Sequence, residues 1–174
     1  SVKDLSGKAT CKAALQREFS LPEASDRPLI AFASRLTPQK GVQEFLSPGS
    51  SSAYAVCADM AVQLVVSGSG EPWCEEELAS LQSKLPNCRA RAVFDPELYR
   101  RVLAGADFVL MPSRYEPCGL TQMRAMRYAA LPIARRTGGL ADTVRSYDQD
   151  SGDGTGFLFD DLSPRSIYDT VGWA

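Results

Sequence analysis

The 174-residue sequence predicts one α/β domain, a parallel sheet of about six strands with helices on both faces. Three observations predict it. Short runs rich in Val, Ile, Leu and Phe recur along the chain, each is followed by a turn and a segment of helical period, and the runs are apolar on both faces. Strands covered by helices on two sides need that last property. A domain of this length buries roughly two thirds of the surface its unfolded chain exposes, enough for one core and too little for two.

Taken in order, the pattern predicts a leading helix at 12–19 and strands at 29–33, 62–67, 90–94, 107–111, 131–134 and 156–159. Helical periods fall between them at 73–85, 96–104, 120–129 and 140–146. Pro96 suits a first helical turn, where its missing N–H would have been unpaired anyway. The Ser-Pro-Gly-Ser-Ser-Ser stretch at 47–52 and the Gly-rich stretch at 148–155 read as loops.

Composition excludes several functions. Nineteen Lys and Arg against 21 Asp and Glu give a net charge of −2, not the basic footprint of a nucleic-acid binder. No apolar run approaches the roughly 18 residues of a membrane span, so neither nucleic acid nor membrane is an expected partner. Five cysteines without a C-x-x-C pair suggest neither a disulfide framework nor a zinc site, and point to a reducing compartment. There is no histidine, which excludes a Ser-His-Asp or Cys-His arrangement within the chain.

In an open parallel sheet, ligands bind beyond the carboxyl ends of the strands. After the first predicted strand, Ser34-Arg35-Leu36-Thr37-Pro38-Gln39-Lys40-Gly41 carries two cations at the start of a helix. Arg35 offers a planar donor fork and Lys40 a point charge, a pair suited to a diphosphate, each charge-assisted bond contributing about 1.5–3 kcal/mol. The competing reading is a solvated surface.

After the fourth comes Pro112-Ser113-Arg114-Tyr115-Glu116-Pro117-Cys118-Gly119-Leu120-Thr121-Gln122. Pro117 and Gly119 tighten the turn so that amides at the helix start face phosphate oxygens, while Glu116 accepts from sugar hydroxyls or, alternatively, only complements the positive helix end. After the fifth, Thr137-Gly138-Gly139-Leu140 either lets a ligand approach the backbone closely or is a flexible turn. Gly68-Ser69-Gly70 lacks the third glycine of a dinucleotide fingerprint, since Trp73 stands there, and reads as a tight turn. Phe94 closes the third predicted strand, as a core aromatic or as a face for a nucleobase.

Three strings in this order, Ser34 to Gly41, Pro112 to Gln122 and Arg136-Thr-Gly-Gly-Leu-Ala-Asp-Thr-Val144, resemble the bacterial glycogen and the plant or algal starch synthases. The likeness runs from about Asp4 to Phe159 and is weakest at 47–61. It implies the second Rossmann-like half of a two-domain, GT-B-type retaining glycosyltransferase, truncated at both ends relative to the full enzyme and lacking the first domain. Residues 1–174 would form a single nucleotide-sugar-binding domain.

By the same resemblance, Arg35 and Lys40 hold the donor diphosphate and Glu116 contacts the transferred glucose. Backbone groups at Cys118, Gly119, Leu120 and Thr121 support both, Thr137, Gly138 and Gly139 line the donor, and Phe94 stacks on the base. The implied reaction moves glucose from ADP-glucose to the non-reducing end of an α-1,4-glucan. It needs no cofactor and no metal, because the leaving phosphate takes the acceptor proton. The implied compartment is the plastid for a plant or alga and the cytoplasm otherwise.

The sequence departs from the pattern at three points. Arg124 stands where the wider retaining-transferase pattern has a second Glu, a substitution the synthases share; Ala129 replaces a glycine at a helix end; and the chain stops at Ala174, before the family's long C-terminal helix. Two alternatives stay open: a nucleotide-binding module without turnover, and another sugar-nucleotide transferase such as a sucrose-type synthase.

Overall fold

The computed structural model describes residues 5–174; Asp4, where the resemblance begins, lies outside them. Six parallel strands form one sheet: β1 (Leu29–Ala33), β2 (Gln63–Ser67), β3 (Cys88–Arg91), β4 (Phe108–Met111), β5 (Leu131–Arg135) and β6 (Phe157–Phe159). Their order is β3-β2-β1-β4-β5-β6, with Ile30 beside Leu64 on one side and Phe108 on the other. The helices are α1 (Ser6–Glu18), α2 (Val42–Leu46), α3 (Ser52–Asp59), α4 (Pro72–Lys84), α5 (Pro96–Gly105), α6 (Thr121–Arg127), α7 (Gly138–Thr143) and α8 (Pro164–Trp173), with a 3-10 turn at Pro38–Lys40.

Successive strand side chains point to opposite faces, and the two cores follow. Ile30, Phe32, Leu64, Val66, Leu110 and Ile133 face a layer of α2, α3, α4 and α8. Leu29, Ala31, Ala33, Val65, Val109 and Ala134 face α1, α5, α6 and α7. Phe32 of β1 stacks on Phe45 of α2 at 5.0 Å between centroids, which fixes α2 and hence the loop that joins it to β1.

The third strand is corrected. It spans Cys88–Arg91 rather than 90–94, and only Cys88 is buried. As an edge strand it has one neighbour, β2, so Arg89 and Arg91 are tolerated and the expectation of two apolar faces fails there. Two helices were not foreseen. The 47–52 loop ends at Ser51, whose hydroxyl accepts from the Tyr54 N–H and starts α3, and Ser163 caps α8 ahead of Pro164. Pro96 sits in the first turn of α5, as expected, behind the Asp95 cap.

All five thiols are free, and Cys57, Cys74 and Cys88 are buried. A hydrogen bond with Cys88, then burial, raises the Cys57 thiol, and burial raises Cys74 to about 11; these are apolar fillers rather than reactive groups.

Helix α6 ends in a Schellman motif. The Ala129 N–H donates to Met126 O at 3.0 Å and the Ala130 N–H to Ala125 O at 2.9 Å, which forces Ala129 to φ +56°. Glycine takes that conformation without the Cβ clash. Ala129→Gly is therefore expected to stabilise the fold by about 0.5–1 kcal/mol, net of the entropy glycine adds to the unfolded chain, as read by chemical denaturation.

Candidate nucleotide-sugar site

Strand order reverses between β1 and β4, so their following loops leave toward opposite faces and open a crevice at the carboxyl end of the sheet. The candidate residues are on those loops. The 34–41 and 112–120 segments are tied together by the Arg114 N–H donating to Gln39 O at 2.9 Å and by Gln39 Nε2 donating to Tyr115 O at 3.4 Å. At Gly41, with φ +75°, a Cβ would fall 1.9 Å from Pro112 O. Only glycine lets the loops close.

This closure brings Lys40 against Glu116 in an ion pair. The side chains are 16% and 10% exposed, and Ser113 Oγ donates to Glu116 Oε2 at 3.4 Å. Lys40 is therefore not a freely solvated cation, and the Glu116 carboxylate is held by Lys40 and Ser113. A cavity of about 20 Å³ beside the pair is lined by Ser34, Lys40, Ser113 and Thr121.

Arg35 is different. It is exposed, and its guanidinium donates to Gln39 Oε1 at 3.2 Å, so it reaches the 112–120 loop through Gln39. Cys118 and Leu120 are also exposed, and the Thr121 hydroxyl pairs with Tyr99 OH at 3.0 Å. With seven residues in α6 and six in α7, what these short helices offer a ligand is individual amides rather than a long summed dipole.

The Gly138-Gly139 pair approaches the protein itself. Cβ atoms there would lie 2.2 Å from Glu116 O and 1.9 Å from Cys118 O, and the Gly139 N–H already donates to Glu116 O at 2.8 Å. The glycines thus let α7 pack on the Glu116 loop, with Thr137 at its start. The Gly68-Ser69-Gly70 segment is extended rather than a tight turn: it prolongs the pairing of β2 with β1, with Gly70 bridged in parallel to Leu36 and Ser69 O accepting from the Leu36 N–H at 2.9 Å.

Phe94 lies three residues beyond β3 and is 79% exposed. The core reading is excluded for this ring, and an exposed aromatic face remains. Arg124 projects from the outer side of α6 into a groove shared with Arg100, Arg127 and Tyr128. A concavity of about 820 Å³ between α3, α4 and α8 contains none of the predicted residues; the paired charges mark the candidate site.

Residues without an assigned role in the sequence also matter here. Arg114 reaches Gln43 at 2.8 Å and pairs with Glu44, and Arg135 donates to Arg114 O at 2.7 Å. Gln122 is wholly buried in the first turn of α6. A polar residue sharing the buried face with Ala125, three positions on, was the signal that could have found it.

The six-stranded parallel sheet, with helices on both faces and a basic and an acidic side chain paired at its switch point, is an α/β domain of the Rossmann-like class. The chain belongs to the family of glycosyl transferases group 1, which it matches over residues 16–174. It is 52% identical to a glycogen synthase of Treponema denticola over 99% of its own length and 35% of the relative's. It is 44% identical to glycogen synthase 1 of Geobacter metallireducens over 100% of its length and 34% of that protein's.

Among solved structures it resembles the catalytic domain of starch synthase IV from Arabidopsis thaliana bound to ADP and acarbose. That match has a TM-score of 0.86 and 33% identity, and covers 99% of this chain and 36% of the other. The chain therefore spans about a third of the relatives it matches. The fold expected from the sequence, a Rossmann-like half of GT-B type, is the fold observed. Among the described residues, no helix is long and apolar enough to cross a membrane.

Proposed function

We propose that this chain is the donor-binding half of a retaining glucosyltransferase that moves glucose from ADP-glucose to the non-reducing end of an α-1,4-glucan. The observation that carries the reading is the Lys40–Glu116 pair at the β1/β4 crevice. Its likeness to glycogen synthases, and to a starch synthase whose structure holds ADP, favours this donor over those of other sugar-nucleotide enzymes. Residues 1–174 act as one domain, with the first Rossmann-like domain supplied by the rest of the protein. By itself the chain holds nucleotide without turnover.

In this reading Arg35 and Lys40 take the diphosphate, where negative charge grows as the glycosidic bond breaks. Donor binding moves the Lys40 ammonium from Glu116 to phosphate and leaves the carboxylate to face the glucose, whose ring becomes positive in the transition state. The departing phosphate receives the proton of the acceptor hydroxyl, so neither histidine nor a metal ion is required. Cys118, Gly119, Leu120 and Thr121 support diphosphate and sugar, and Thr137, Gly138 and Gly139 border the donor. The compartment follows the source, bacterial cytoplasm or plastid.

Phe94 stacks on the base. Because the ring is exposed and packs on no core residue, Phe94→Ala should leave stability unchanged and weaken ADP binding about tenfold, within the roughly 1–3 kcal/mol of a base–aromatic stack. Equal affinity in variant and parent, measured by calorimetry, would remove Phe94 from the site. For the reaction itself, the complete protein given ADP-glucose and a maltooligosaccharide should lengthen the glucan. Absence of glucose incorporation would refute the reading.

A further inference from the structure

Gln122 makes contacts that its place on a helix does not require. Its Nε2 donates to Gly119 O at 2.8 Å, to Thr143 Oγ1 at 2.9 Å and to Cys118 O at 3.1 Å. Two hydrogens thus serve three acceptors. Thr143 Oγ1 in turn donates to Gly139 O at 2.5 Å, and the Gly139 N–H donates to Glu116 O at 2.8 Å. The bonds close a ring from Glu116 along its loop to Gln122, across to α7 and back.

The amide's orientation is chemically fixed, because turning it would set its oxygen against two carbonyls. Its oxygen is buried with no partner of its own. Such an arrangement costs stability, so the NH2 group is the part the site uses.

We propose that Gln122 is a positioning residue, whose buried amide locks the Glu116 loop to α7 so that the carboxylate and the 118–121 amides meet the donor as one rigid unit. This rests on the donor-site reading above. Preorganisation of this kind matters because a displacement of about 1 Å in groups that recognise charge can cost on the order of a hundredfold in rate.

Gln122→Glu tests it on this chain, since a neutral acid can still donate to one carbonyl whereas a carboxylate is repelled by both. Hydrogen exchange of amides 118–121, taken as the ratio of variant to parent at each pH, should be about tenfold at about pH 7.5 and fall toward unity at about pH 5.5. Exchange in β1 and β2 should stay unchanged. The loss of ADP affinity should follow the same pH course while β1 and β2 keep the parent's exchange, whereas a role confined to fold stability would raise exchange in those strands along that course as well. Gln122→Ala, if it folds, should show fast exchange at both pH values.

Exchange at 118–121 equal to the parent at about pH 7.5 overturns the proposal, as does fast exchange with unaltered ADP affinity. If the parent binds no ADP, the donor-site reading fails, and the exchange ratio still decides whether Gln122 orders the loop.

Discussion

Glu116→Gln in the complete protein should lower turnover by about a hundredfold or more while ADP binds at least as tightly as before. The two halves of this result come from one observation. Glu116 holds Lys40 in a largely buried ion pair, so in the proposed site the carboxylate would compete with the diphosphate for the same ammonium. An amide of the same shape removes that competition and frees Lys40. It also removes a negative charge that faces the glucose ring as positive charge develops there, and this loss is felt mainly in the transition state. Steady-state kinetics paired with calorimetry separates the two effects. Unchanged turnover, or an ADP affinity that falls in parallel with turnover, would remove Glu116 from the reacting centre.

Lys40→Ala should weaken ADP binding about tenfold or more and also lower stability by about 2–3 kcal/mol. The second effect follows from burial. With its ammonium gone, the Glu116 carboxylate keeps only the Ser113 hydroxyl at 3.4 Å, and an unpaired charge in such a place is costly. The double variant Lys40→Met with Glu116→Gln should recover most of the lost stability, because two neutral side chains of similar volume leave no orphaned charge. It should not recover nucleotide binding. Denaturant midpoints and ADP titrations of these two variants check both statements. Full recovery of ADP binding in the double variant would contradict the assignment of Lys40 to the diphosphate.

What the sequence made legible, and what it did not, follows from the range of each interaction. Strands β1, β2, β4 and β5 were readable because they lie inside the sheet with both faces buried, so runs such as Leu-Ile-Ala-Phe-Ala are continuous and apolar. Strand β3 was misplaced because an edge strand obeys no such rule, and Val93 and Phe94 are apolar residues outside any strand. Helix α3 was hidden by a serine run that reads as a loop until its last member becomes a cap.

The site divided in the same way. Arg35, Lys40 and Glu116 were visible as residue types on loops after strands, but nothing in the sequence joins Lys40 to Glu116, 76 positions apart. That pairing needs the strand order to place β1 beside β4, and Gly41 to admit Pro112. The glycines at 138 and 139 invite a ligand on sequence grounds, yet the space beside them is filled by the carbonyls of Glu116 and Cys118. Gln122 passed unnoticed because its partners come from a loop and a second helix.

The most direct test of the donor site is calorimetric titration of this chain with ADP and UDP, alongside Arg35→Ala and Lys40→Ala. The account predicts ADP binding at about the millimolar level or tighter, roughly −4 kcal/mol or better, stronger than UDP and lost in both variants. A folded chain that takes up neither nucleotide, or that binds ADP equally well without Arg35 and Lys40, would contradict it.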